Sequence, residues 1–248
     1  MNLNEITDIA LTVGEILLSN GAENHRIESS IHKICESYNV KEEILLTSNG
    51  ILLLIEDSNL NKVTCIRKVK EKCVDLYRIE LINSFSRNIE KAPLPYDEAM
   101  KILDDIKKAP TFTFKVRTFA ACMTGFIYTL FFNGSLLDGL LSIVVCLITY
   151  IAFEKIAKLN SFQFLNYYLA GIIIGGLSIS SELLISYANK HNIITGSIMI
   201  LLPGVVLTNS IKDILYGDYS SGVSKFFEAA LIITAVGCGV MTSLFISL

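Results

Sequence analysis

Apolar residues recur at helical spacing over the first forty positions. Ile6, Ile9, Val13, Ile16 and Leu17 share one stripe across residues 3–19, and Ile27, Ile31, Ile34 and Tyr38 share another across 23–38. Each stripe predicts an amphipathic helix with one buried face. Gly21 stands between them, where a helix end favours a residue that tolerates a left-handed backbone, so the two are expected to form a hairpin. From 42 to 68 the pattern changes to the short β-like runs EILLT, ILLLIE and KVTCIR, joined at SNG and DSNLN. Three antiparallel strands are the economical reading. A further helix is expected at about 71–90, and Pro93 and Pro95 mark a boundary after it. A second amphipathic helix at about 96–108 carries Met100, Leu103 and Ile106 on one side. With Lys107, Lys108, Lys115 and Arg117 following, it is expected to lie along a membrane surface.

Beyond that point the pattern becomes a series of apolar runs of the length a bilayer requires, about 20 residues each. Five spans are expected, at about 112–132, 136–153, 161–187, 192–211 and 223–247. The charge distribution agrees: 34 of the 45 charged residues lie at or before Arg117. The fold class that follows is an α-helical membrane protein. An N-terminal cytoplasmic α+β head, residues 1–110, precedes a five-helix transmembrane domain, residues 111–248. Lys155, Lys158, Lys212 and Lys225 fall on the same side as the head if the chain weaves regularly, and only Lys190 falls opposite. The positive-inside tendency then places the N-terminus in the cytoplasm and the C-terminus outside a multi-pass cell membrane protein. The first basic residue is Arg26, so no cleaved signal peptide is expected.

Composition removes several function classes. A net charge of -3 and no basic stripe provide no argument for nucleic acid. The six cysteines form no C-x-x-C pair, and His25 and His32 lie seven apart, so neither a metal nor a disulfide framework is indicated. No Gly-rich nucleotide loop is present. No cofactor and no catalytic residue is expected. In the third span Gly171 and Gly175 form a G-x-x-x-G, with Gly176 beside it, and Gly237 and Gly239 lie in the fifth. These permit close helix approach, either within the chain or in a homo-oligomer.

The fourth span raises the question of chemistry. Pro203-Gly204 interrupts it, and proline removes a backbone donor and crowds the carbonyl of Met199. In hydrocarbon such a break needs repair from protein or water. Thr208, Asn209, Lys212, Asp213 and Tyr216 follow, presenting an amide, a cation and an acid that suit a zwitterion or a carboxylate. Asp213 has the chemistry to exchange a proton. Glu228, with Lys225 three residues before it, is another costly charge, either on a pathway or a lysine-paired structural acid. The alternative is a kinked helix repaired by its neighbours, with a wetted cytoplasmic end. Glu182, near the outer end of its span, is less persuasive.

The segment LLPGVVLTNSIKDILYGDYSSGVSKFFEAALI, with LLSNGAENHRIESSIHKI near the front, resembles the threonine/serine exporter family, specifically its YjjP-like large component. The matching positions are Gly21, Ala22, Glu23, Arg26 and Glu28 in the head, and Pro203, Gly204, Thr208, Asn209, Asp213, Gly217, Asp218, Gly222 and Glu228 in the membrane part. The resemblance implies a subunit of a secondary, proton-coupled exporter of small polar metabolites, threonine and serine or succinate-type dicarboxylates. It also implies a partner, a small YjjB-like membrane subunit. Thr208, Asn209, Lys212 and Asp213 are then the expected substrate contacts, and Asp213 and Glu228 the proton carriers. Lys212 stands where the family pattern leads one to expect Arg, which keeps the charge without the planar fork. The alternative function is a membrane-anchored enzyme or ligand sensor acting through the head, although Glu23, His25, Arg26 and Glu28 show no nucleophile and base arrangement.

Overall fold

The structure is a computed structural model that describes residues 1–69, 73–158 and 162–247. The chain divides into two compact units, one of residues 1–111 with 204–226 and one of residues 112–203 with 227–248.

In the first unit α1 (Leu3–Ser19) is the central element. Asn2 and Glu5 close a capping box at its start, and its buried residues run from Ile6 to Leu18 around most of its circumference. The turn that ends it requires Gly21, at φ +81°. The Ala22 N–H reaches Leu17 O at 3.0 Å and the Gly21 N–H reaches Leu18 O, the paired bonds of a Schellman cap. α2 (Asn24–Ser37) follows, then β1 (Lys41–Thr47), β2 (Gly50–Glu56) and β3 (Lys62–Lys68), an antiparallel sheet in the order β1-β2-β3. Leu45, Leu52 and Ile66 stand in register across it. Its other face carries Leu46, Ile51, Leu53 and Ile55, all buried. They join the stripes of α1 and α2 in one core with α3 (Leu76–Lys91) and α4 (Tyr96–Lys107). The start of the expected helix at 71–90 falls partly on residues outside those described; α3 begins at Leu76, where Asp75 accepts from the Tyr77 and Arg78 N–H groups.

The second unit contains α5 (Phe114–Phe131), α6 (Leu136–Ala157), α7 (Gln163–Leu184), α8 (Lys190–Ile198) and the part of α10 (Tyr219–Ile246) from Phe227 onward. Among the described residues three helices are long and apolar enough to cross a membrane: α6, α7 and α10, of 22, 22 and 28 residues. The expected count of five spans is not confirmed by this measure. α5 has 18 residues and carries Lys115 and Arg117 in its first turn. The expected span at 192–211 is not one helix, because α8 stops at Ile198 and α9 (Gly204–Leu215) starts after an interruption at residues 199–203. Nine residues of α8 rise about 14 Å, less than half of a hydrocarbon core of about 30 Å.

Small residues set the packing of this unit. A Cβ on Gly171 would stand 2.5 Å from Val236 O, and one on Gly239 would collide with Tyr168 O, so these two glycines bring α7 and α10 into backbone contact. Gly175 lies against Ser243, whose hydroxyl donates to Ile172 O at 2.8 Å. Gly176 and Gly237 face open space. Asp138 is buried at the start of α6. Its carboxylate accepts from Ser135 N, from Asn189 N at 2.8 Å and from the Asn192 amide, tying α6 to the start of α8.

Candidate functional site

α9 ends as α1 does. Gly217 takes φ +95°, and the Asp218 and Gly217 N–H groups cap Asp213 O and Ile214 O. The chain reverses there into α10, and Gly222 lets the two helices meet, since a Cβ would stand 2.9 Å from both Ile214 N and Ser210 O. This reversal brings Lys225 to Asp213, twelve residues earlier in the chain.

Asp213 is 1% exposed. Its Oδ2 accepts from Lys225 Nζ at 2.6 Å and its Oδ1 from the Asn24 N–H at 3.2 Å, while Lys225 Nζ also donates to Asn24 Oδ1 at 2.9 Å. The side chain of Lys225 is itself 11% exposed. A carboxylate and an ammonium so far from water are stable only as a pair with further hydrogen bonds, and Asn24 supplies one to each. The rest of the Gly21–Asn24 turn binds the same helix. Gly21 O accepts from Asn209 Nδ2 at 2.8 Å, and Glu23 Oε1 accepts from Lys212 Nζ at 2.9 Å. One turn further along, the rings of His25 and Tyr216 lie 4.5 Å apart.

Two acids of this region shift in opposite directions. Burial works against ionisation of Glu23, but its hydrogen bond and ion pair with Lys212, assisted by Arg26 and His25, outweigh that and hold the carboxyl below its usual range. Burial pushes Glu28 up, and the carboxylates of Asp218 and Asp213 push it further. Arg26 is only loosely held, with Nε 4.0 Å from Glu23 Oε2.

The sequence motifs 180 residues apart thus meet inside the first unit: Gly21 and Glu23 with Asn209, Lys212 and Asp213. Thr208 does not join them; it is exposed and its hydroxyl donates to Gly204 O in its own helix. Pro203 closes the interruption before α9, and Gly204 is the first residue of that helix. Glu228 is half-buried on α10, in the second unit. Lys225 gives its ammonium to Asp213 and Asn24. Asn24 was missed in the sequence because an asparagine beside Glu23 has no distinguishing pattern. Asp138 was also missed, although Ser-x-x-Asp at 135–138 is a capping-box signature. Among the described residues no group of three or more His, Cys, Asp or Glu is placed to hold a metal ion.

Among the described residues, three helices long and apolar enough to cross a membrane, with an α+β unit that grips a helix from much later in the chain, describe a multi-pass membrane protein. Comparison then supplies the family. The ThrE family model, described as "Putative threonine/serine exporter", matches residues 8–247, and the chain belongs to this family. It is 22% identical over 250 residues to the "Threonine/serine exporter" of Corynebacterium glutamicum, covering 96% of this chain and 51% of that one. It is 19% identical over 252 residues to the "Probable threonine/serine exporter" of Mycobacterium tuberculosis, covering 98% and 46%. The chain therefore spans about half the length of the curated relatives it matches. No solved structure matches it significantly.

Proposed function

We propose that this chain is one component of a secondary exporter of small polar metabolites, threonine and serine or succinate-type dicarboxylates, in the cell membrane. The α+β unit faces the cytoplasm in this reading, and the membrane helices contribute to the route across. The relatives are about twice as long, which is consistent with a second component such as a small YjjB-like subunit, and the glycines left facing open space on α7 and α10 leave room for further assembly.

The observation that carries the proposal is the buried Asp213–Lys225 pair held by Asn24. A membrane carrier driven by protons needs an acid whose ionisation is coupled to the arrangement of its helices. Protonating Asp213 removes the charge that Lys225 and the Asn24 N–H are placed to meet, so it frees α9 from both α10 and α2. Asn209 and Lys212 then turn their amide and ammonium from Gly21 and Glu23 to a cargo carboxylate. Thr208 extends that polar face, the interruption at Pro203-Gly204 gives α9 its freedom, and Glu228 is a second proton carrier.

The test is pH-gradient-driven efflux from vesicles containing the chain co-expressed with its genomic neighbour. Asp213→Asn and Glu228→Gln should each abolish coupled efflux while the protein remains folded. Undiminished efflux in both variants removes these acids from the mechanism.

A further inference from the structure

The first unit has a second polar feature that the clamp does not use. α2 and α3 border a groove of about 340 Å³ whose walls carry Arg26, Ser29 and Lys33 from α2 and Glu80, Asn83 and Arg87 from α3. It continues into a neighbouring cavity of about 330 Å³ that shares Arg26, Glu80 and Asn83 and reaches Gly21, Glu23 and Asn209.

Arg26, Ser29 and Arg87 are exposed along the groove, and its cations differ in how they are paired. Lys33 is committed to Glu90, at 2.9 Å. The two guanidinium groups are not: Arg26 has only the 4.0 Å approach to Glu23, and Arg87 has only a long bond of 3.4 Å to Ser84 Oγ among the described residues. The side chains of Ser29 and Asn83 make no hydrogen bond among the described residues. Two unclaimed cations therefore stand against one carboxylate, Glu80, with a hydroxyl and an amide between them. A cleft of about 440 Å³ lined by Glu15, Arg78 and Lys107 is paired differently. Its Lys107 meets Glu15, and its Arg78 meets Asp75 and donates to Ala109 O just past the end of α4, so two of its three lining cations, Lys68 being the third, face carboxylates.

We propose that the α2–α3 groove is a binding site for a small oxyanion-bearing metabolite, a carboxylate or a phosphate, held by Arg26 and Arg87 with hydrogen bonds from Ser29 and Asn83. A guanidinium meets either oxyanion through two parallel N–H bonds. The groove adjoins the clamp at Gly21, Glu23 and Asn209 but does not include Asp213, and binding there requires no proton or gradient.

Calorimetric titration of the whole chain in detergent, with inorganic phosphate and with succinate at matched chloride concentration, tests this. Saturable binding of either is expected, phosphate alone indicating a phosphorylated ligand and succinate alone a carboxylate one. Arg26→Gln and Arg87→Gln should each weaken it about tenfold or more, while Lys107→Gln in the other cleft should bind as the unaltered chain does. Circular dichroism of each variant reports whether it is folded, and Arg87→Lys, which retains charge without the fork, should give an intermediate affinity. Absence of saturation by both anions, an equal response to chloride, or unchanged binding in both arginine variants overturns the site. Efflux that depends on Asp213 while no anion binds here would remove this proposal and leave the export reading standing.

Discussion

Replacing Lys225 by methionine tests the clamp most directly. Methionine keeps the length and the apolar stem of lysine but leaves Asp213, at 1% exposure, with the Asn24 N–H as its one remaining donor among the described contacts. Removing one partner of a buried ion pair costs about 3–5 kcal/mol, most of it the uncompensated charge left behind. Lys225 retains some side-chain exposure, so the lower end applies. At about 1.4 kcal/mol per tenfold, a cost of about 3 kcal/mol raises the population of locally opened α9 and the start of α2 by roughly two decades. The Lys212–Glu23 contact is a control of opposite expectation. It is also short, at 2.9 Å against 2.6 Å for the buried pair, but the Lys212 side chain is 45% exposed, and such pairs contribute about 0–1 kcal/mol. Lys212→Ala should therefore change opening by less than about tenfold.

Amide hydrogen exchange of the whole chain in detergent, read at residues 24–37 and 204–215, measures both variants by the same scale. The combination Lys225→Met with Asp213→Asn supplies the decisive comparison. It leaves no buried charge, so these amides should be better protected in it than in Lys225→Met alone. Such non-additivity is expected only of groups in contact. If the double variant exchanges as fast as the sum of its single changes requires, or if Lys225→Met exchanges no faster than Lys212→Ala, the pair does not hold these helices together.

Gly239→Ala should lower the melting temperature of the detergent-solubilised chain, because the new methyl collides with Tyr168 O across the α7–α10 contact; overpacking of this kind costs about 1–3 kcal/mol. Gly237→Ala faces open space and should melt as the unaltered chain does, so equal melting of the two variants refutes the packing assignment. Glu28→Gln tests the electrostatics of the acidic side of the clamp. Burial and the charges of Asp218 and Asp213 raise the Glu28 carboxyl, so the folded state binds its proton more tightly than the unfolded chain does. The cost of holding it ionised is absent below the ordinary value of 4.5, grows as pH rises through the higher folded value, and is then constant. Glu28→Gln should thus stabilise the first unit at about pH 7.5 more than at about pH 4, as read by amide exchange, and a gain of equal size at both would exclude this cause.

What could be read from the sequence was what is local. Helical spacing located α1, α2 and α4, short β-like runs and the turn residues joining them located the three strands, and Gly21 marked a left-handed helix end. Gly217, among the positions matched to the family, makes the same kind of reversal. The fourth span is interrupted just before Gly204, where Pro203 marked a break, although apolarity averaged over 192–211 does not by itself distinguish one helix from two short ones. Pro203 was the available signal, and it breaks the backbone completely where a kink was one of the readings. Lys225 invited pairing with Glu228, three residues away on one helix, whereas the reversal at Gly217 delivers it to Asp213. Such a contact depends on tertiary packing that no window of sequence contains.

The energies of these contacts order the events that the export reading requires. A cargo carboxylate approaching α9 first meets Lys212, where it competes with Glu23 for an exposed ammonium at a cost of about 0–1 kcal/mol. The Asn209 amide comes next, because taking it from Gly21 O exchanges one neutral hydrogen bond for another, a net of about 0.5–1.5 kcal/mol. Asp213 and Lys225 come last, since separating them exposes two buried charges and costs several kcal/mol, more than contact with a small polar molecule readily supplies. In the export reading a proton on Asp213 removes the attraction between the two charges, and Lys225 keeps its hydrogen bond to Asn24 Oδ1 as partial compensation. In that reading, substrate recognition at Lys212 and Asn209 and proton uptake at Asp213 are separable. Lys212→Ala should raise the substrate concentration needed for half-maximal efflux while keeping its dependence on the pH gradient, whereas Asp213→Asn should abolish that dependence. Loss of gradient dependence in Lys212→Ala would show that recognition and coupling reside in the same residue, contrary to this ordering.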